Sequence, residues 1–252
     1  SDLATLYAIR KMDKPVKRVD CFHAAKGAAS GGTIETIFSI GGLKLDKKMR
    51  NPFLLNPEGS YSKDQKKLSR DTMAVKKNQI INRWTAPFMM AFTNTRVVRR
   101  SAALMEEQGQ TYGPGFVYHE GTYFKRYIEA FMMLIFTGFL LLLITSPLRY
   151  LIRPLLPRPG EGPNKKTMLN GYFKCLLIAE AKDGEKRIFS MYASGDPGYR
   201  LTSRFLCECA ILLAGDIEKL PGGKAYGGVL TPATALGWPM VDRLLDRDVY
   251  FE

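Results

Sequence analysis

Few residues in this chain have side chains suited to chemistry: His23 and His119, the cysteines Cys21, Cys175, Cys207 and Cys209, and the turn "KGAASGGT", which closes on Ser30, Gly31, Gly32 and Thr33. None of the cysteine spacings matches a zinc motif or a disulfide framework. Cys207 and Cys209 lie two apart on a predicted helix, so their side chains point about 200° away from each other and neither chelate together nor pair. With only two histidines, a metal site is not expected, and the cysteine usage points to a reducing, intracellular setting. His119 alternates to the outer face of a predicted strand, where a lone histidine is more often solvated or capped than catalytic. The glycines at 27, 31 and 32 lack the G-x-G-x-x-G spacing that lets a backbone approach a pyrophosphate, so no dinucleotide site is expected there. A helix beginning at Ser30 to Thr33 offers N–H groups to a carbonyl or carboxylate, or it is a plain capped helix start.

The elements that must position these residues are readable in outline. "VKRVDCFHAA" (16–25) alternates as a strand and enters the glycine-rich turn and a short helix. Residues 43–80 are polar and contain Pro52 and Pro57, which suggests a surface excursion with short helical pieces. A brief buried strand is expected near Pro87 to Phe92, then a helix from about Asn94 to Gln108. That helix is expected to turn Val97, Val98, Ala102 and Leu104 inward and Arg96, Arg99 and Arg100 outward. "GFVYHEGTYF" reads as a strand with Phe116 and Tyr118 buried. Asp183-Gly184 between two apolar runs predicts a type I′ hairpin. Leu201, Phe205, Leu206, Cys209, Leu212 and Leu213 form one apolar helix face that Gly215 ends, Thr231-Pro232 is a helix start, and "DVYFE" closes the chain as a strand. Strands and helices interleave without strict β-α-β order, so the expected class is α+β, a mixed sheet with helices.

At 252 residues and 46% apolar, the chain is a folded protein rather than a disordered tail. The net charge of +13 is uneven: Lys and Arg exceed Asp and Glu by 22 to 11 in residues 1–126 and by 15 to 13 in residues 127–252. The basic residues between Lys44 and Lys77 could touch phosphates or form a solvated loop. They lack the interleaved aromatics that stack bases, so no nucleic acid is expected.

"AFMMLIFTGFLLLLITSPL" (130–148) holds nineteen residues without a charge. As a helix it is about 28 Å long, close to the ~30 Å of a bilayer core, and no polar face survives. Basic residues stand at both ends, which gives little orienting asymmetry. The favoured expectation is a helix lying in one leaflet, with a true span or burial against an absent domain or partner as alternatives. The chain then divides into 1–123, a first part of a substrate-side α+β domain; 124–160, a membrane-associating helix and proline-rich connector; and 161–252, a hairpin and helices completing the domain.

"SGDPGYRLTSRFLCECAILLA" with "GGVLTPATALGWPMVDRLLDRDVYFE", and the earlier "SGGT" and "PFMMAFTNTRVVRRSAAL", resemble the saccharopine dehydrogenase-like oxidoreductases, a family that includes trans-acting enoyl reductases. The resemblance runs nearly end to end. It implies the second, substrate-side domain of a two-domain Rossmann oxidoreductase whose NAD(P)-binding half is missing here, NAD(P) being held mainly by that half and not by this chain alone. Ser1-Asp2-Leu3 looks like the tail of the family's "PSDLG"-type loop, which makes Ser1 and Asp2 remnants of a cofactor-side loop and the sequence a fragment or a trimmed piece. The closing strand, Asp248 to Phe251, would return to the absent domain. Ser30, Gly31, Gly32 and Thr33 are substrate-side candidates that could orient a carbonyl, and Tyr199 could cap the site from the opposite helix; helix capping and aromatic packing are the structural alternatives. The implied function is an oxidoreductase acting on a lipid-like substrate. The alternative is a non-catalytic, membrane-associated structural subunit of a larger complex. The expected partners are a membrane lipid surface, of a lipid droplet, endoplasmic reticulum or mitochondrion, the missing Rossmann domain or a partner subunit, and a second copy in a homo-oligomer.

Overall fold

The computed structural model describes residues 1–42, 51–215 and 217–252. In chain order the helices and strands are α1 (Asp2–Met12), β1 (Val16–Lys26), α2 (Gly31–Gly42), α3 (Lys63–Leu68), β2 (Lys76–Asn78), β3 (Arg83–Ala86), α4 (Ala91–Glu107), β4 (Val117–Phe124), α5 (Tyr127–Thr145), α6 (Arg149–Ile152), α7 (Lys165–Asn170), β5 (Tyr172–Ala181), β6 (Lys186–Ser194), α8 (Arg200–Gly215), α9 (Pro232–Ala235), α10 (Gly237–Leu245) and β7 (Val249–Phe251). The strands form one mixed seven-stranded sheet in the order β2-β3-β4-β1-β5-β6-β7. Only β1 and β4 run parallel among its neighbours. The class is α+β, and elements from before and after α5 share one sheet.

The pleat sorts β1 by parity. Val19, Cys21 and His23 point into the core, where α1 packs against α4, α9 and α10, while Arg18 and Asp20 pair with each other on the opposite face. His119, level with Asp20 on the neighbouring strand, shares that outer face: its Nδ1 lies 3.4 Å from Asp20 and its Nε2 2.8 Å from the Leu68 carbonyl. It is a capped residue.

Several expectations are corrected. The strand predicted near Pro87 lies earlier, at Arg83–Ala86, because Pro87 cannot donate to a ladder and the chain turns there into α4. Arg96 and Arg99 are buried rather than outward: Arg99 donates to the carbonyls of Pro52 (3.0 Å) and Tyr118 (2.8 Å), and Arg96 to Asp71 (2.5 Å). Burial draws the Arg99 pKa down to about 10, so it stays charged at neutral pH. At the β5–β6 turn only Gly184 has positive φ, and Gly184 N–H bonds to Ala181 O. That is a type I turn followed by a left-handed glycine, not type I′. On α8, Leu206 and Leu213 are exposed, whereas Glu208 is buried beside Arg243 and Arg247. The closing strand pairs antiparallel with β6, at the edge of this same sheet.

The largest correction concerns the apolar segment. Among the described residues no helix is long and apolar enough to cross a membrane. Nor is α5 free on every side, as a membrane-associating helix without a protein-facing side would be. It packs on β3, β4 and α2, with Ala130 and Thr137 buried and Tyr127 edge-on to Trp84. It is a layer of the α+β unit whose other face, including Phe131, Ile135 and Phe139, is exposed. The expected basic block begins at Lys44, Lys47 and Lys48, which lie outside the described residues.

Candidate functional site

Three loops meet beside the end of β1: residues 27–30, the 158–162 connector and the 195–199 turn before α8. Glycines set how closely they meet. A Cβ on Gly31 would stand 1.7 Å from the Arg158 carbonyl oxygen, and one on Gly198 would stand 1.9 Å from that of Ala28. Neither backbone permits a side chain. Asp196, fully buried, holds the third loop by accepting from the amides of Gly198, Tyr199 and Arg200 at 3.0–3.1 Å. Asp-Pro-Gly ahead of a helix is an N-cap signal in the sequence, but it does not show that this loop meets the other two.

This junction collects the substrate-side candidates. Ser30 Oγ caps α2 by accepting from Thr33 N–H at 3.2 Å and lies 3.1 Å from Thr33 Oγ1. Gly31 N–H donates to Glu161 O at 2.9 Å. At Gly32 a Cβ would meet nothing closer than Ser30 Oγ at 3.9 Å, so this side of the turn is open. Tyr199 is half exposed, its ring 3.7 Å from where a Cβ on Gly162 would sit. The connector therefore touches both Gly31 and the Tyr199 side.

One of the two hydroxyls donates to the other, which leaves one O–H of the pair to donate to a carbonyl. The turn does not fit a dinucleotide pyrophosphate, because its Gly31, Thr33 and Ile34 amides are already engaged within the fold. A separate cavity of about 370 Å³ is lined by Leu6, Ile9, Arg10 and Tyr112 and includes none of these residues.

Ser1 and Asp2 face different partners. Ser1 Oγ accepts from Asn94 Nδ2 at 3.2 Å. Asp2 is buried and accepts from Ser101 Oγ (2.6 Å) and the Ala233 amide (2.8 Å), which ties α1 to α4 and to the start of α9. Burial raises its pKa above the ordinary carboxyl range against the pull of those bonds. The carboxylate has a structural job.

A second group of reactive side chains lies under Ser1, on the core face of three adjacent strands. Register explains the convergence: Glu120 of β4 is level with Cys21 of β1, and Cys175 of β5 stands directly opposite His23. All four side chains are buried. Cys21 Sγ lies 3.6 Å and Glu120 Oε2 lies 3.5 Å from His23 Nε2. Tyr118 Oη and Asn94 Nδ2 donate to Glu120 at 2.7 and 3.1 Å.

Desolvation would raise the Glu120 pKa, but the bond and charge of His23 outweigh it and leave the carboxyl below its usual value. Burial pushes the Cys21 thiol up, while the hydrogen bond from Cys21 brings Cys175 down to about 7. Sequence reading missed this group, because alternation shows that Cys21 and His23 share a face but nothing local reveals which residues of β4 and β5 stand beside them.

No protein-family model and no solved structure matches the chain. Curated relatives do. A Mycobacterium tuberculosis protein named as a trans-acting enoyl reductase is 31% identical over 235 residues, covering 87% of this chain and 55% of that protein. Trans-acting enoyl reductases of Mycobacterium bovis and Mycobacterium ulcerans are 31% and 32% identical over 169 residues, 64% of this chain and 39% of theirs. The chain spans about half the length, or less, of these relatives. At 31% identity over 87% of its length, the chain is related to a protein named as a trans-acting enoyl reductase.

Proposed function

We propose that this chain is the substrate-side part of a saccharopine dehydrogenase-like, NAD(P)H-dependent oxidoreductase that reduces an enoyl group on a lipid-like acyl substrate, the nucleotide being held by polypeptide outside these 252 residues. The observation that carries the reading is the 31% identity over 235 residues to a protein named as a trans-acting enoyl reductase. The loop junction suits it. Reducing a double bond conjugated to a carbonyl builds negative charge on the carbonyl oxygen, and preorganised donors aimed at that oxygen stabilise it. Ser30 and Thr33 form a hydroxyl pair 3.1 Å apart, with one O–H left to donate, on a turn whose position is fixed by glycine contacts. Tyr199 stands across the connector with an exposed ring, placed to cover an acyl chain.

The test uses the full reading frame that contains this chain, an α,β-unsaturated acyl thioester, and the loss of NAD(P)H absorbance. Turnover is expected, and a Ser30→Ala/Thr33→Val double variant is expected to lose on the order of 10²-fold in kcat, the usual cost of removing such donors. No nucleotide oxidation by the full protein would leave the non-catalytic subunit as the reading. A double variant with native kcat would remove the hydroxyls from the site.

A further inference from the structure

Buried thiols and imidazoles usually appear singly in a core. Here two thiols and an imidazole converge: one donor atom from each of Cys21, His23 and Cys175 lies within 4.8 Å of the other two. We propose that these three residues hold one zinc ion that clamps β1 to β5.

Three observations support the assignment. First, one ligand edge already matches. Zn–S of about 2.3 Å and Zn–N of about 2.0–2.1 Å at tetrahedral angles require an S to N edge of about 3.6 Å. The observed separation from Cys21 Sγ to His23 Nε2 is 3.6 Å, and the ligand atom of Cys175 lies within 4.8 Å of those of both Cys21 and His23.

Second, the His23 ring is packed against Phe88 and Phe173, with centroids 4.5 and 5.4 Å away, and all three candidate ligands are buried. Third, two sulfurs and one imidazole select zinc over magnesium or calcium. On binding, both thiols give up their protons to solvent and coordinate as thiolates.

The experiment uses the Cys207→Ser/Cys209→Ser variant of the full chain, in which Cys21 and Cys175 are the remaining cysteines. It is purified under reducing conditions, its bound zinc is measured by mass spectrometry, and it is then titrated with cobalt(II). One zinc per chain and a thiolate-to-cobalt charge-transfer band saturating at one equivalent are expected. The band should disappear in the further variant Cys175→Ser. If that variant does not fold, saturation at one equivalent in the parent decides, together with a fall in Tm on exposure to a strong chelator. Zinc below about a tenth per chain with no charge-transfer band overturns the proposal. So does a Cys21–Cys175 disulfide found by peptide mapping in protein kept reduced throughout.

Discussion

Adjacent glycines at the start of α2 are expected to respond oppositely to the same substitution. In Gly31→Ala the new Cβ would lie 1.7 Å from the Arg158 carbonyl oxygen and 2.3 Å from its carbon. Both are backbone atoms, so the connector must retreat, and the Gly31 to Glu161 hydrogen bond stretches with it. Overpacking of this kind costs about 1–3 kcal/mol, and the weakened bond adds about 0.5–1.5 kcal/mol. The better helix propensity of alanine returns at most about 1 kcal/mol. The net is a loss of roughly 0.5–4.5 kcal/mol, which for a chain of this size lowers Tm by about 2–4 °C per kcal/mol.

In Gly32→Ala the Cβ meets nothing closer than 3.9 Å. Its expected effect is a gain of up to about 1 kcal/mol and a Tm a degree or two higher. Thermal unfolding of both variants, followed by circular dichroism under one set of conditions, measures the contrast. A Gly31→Ala protein as stable as Gly32→Ala would mean that the connector does not rest on the turn. The close three-loop junction would then be refuted along with it.

Arg99→Met leaves the buried carbonyls of Pro52 and Tyr118 without their donor, at about 1–3 kcal/mol each, partly offset by relief of a buried charge. The urea midpoint should fall, and Arg99→Lys should recover little of it, since an ammonium lacks the fork that reaches both oxygens. An unchanged midpoint in Arg99→Met would place this residue outside the load on α4. Asp2 supplies a pH test. Its pKa is raised in the fold, so its contribution is fully present below about pH 4 and is lost as pH rises through the raised value. Asp2→Asn stays neutral, so its stability relative to the native protein should climb with pH across that window; parallel denaturation curves from pH 4 to 7 would contradict the raised pKa.

What local sequence could determine, it largely did. β1, the β5–β6 hairpin, α4, α8, the Thr231 cap and the closing strand follow from alternation, helical periodicity and capping chemistry, which act within a few residues. The turn from Ser30 to Thr33, proposed above as substrate-side, was visible for the same reason: glycines, a hydroxyl and a helix start lie side by side in the chain.

Partnership between distant segments was not legible. Arginines that look like a solvated face of α4 reach carbonyls 47 and 19 residues away, because an arginine's polar fork can be satisfied in the core wherever backbone oxygens lack other donors. The apolar run by itself calls for lipid or protein on every side, and only the sheet shows that Ala130 and Thr137 meet protein. Cys21 and His23 announce only a shared face. That Glu120 and Cys175 stand beside them depends on a parallel pairing on one side and an antiparallel pairing on the other, each in a register set by the packing of the whole sheet. Shift either pairing by one residue and the cluster is gone, since every side chain of the moved strand would pass to the opposite face.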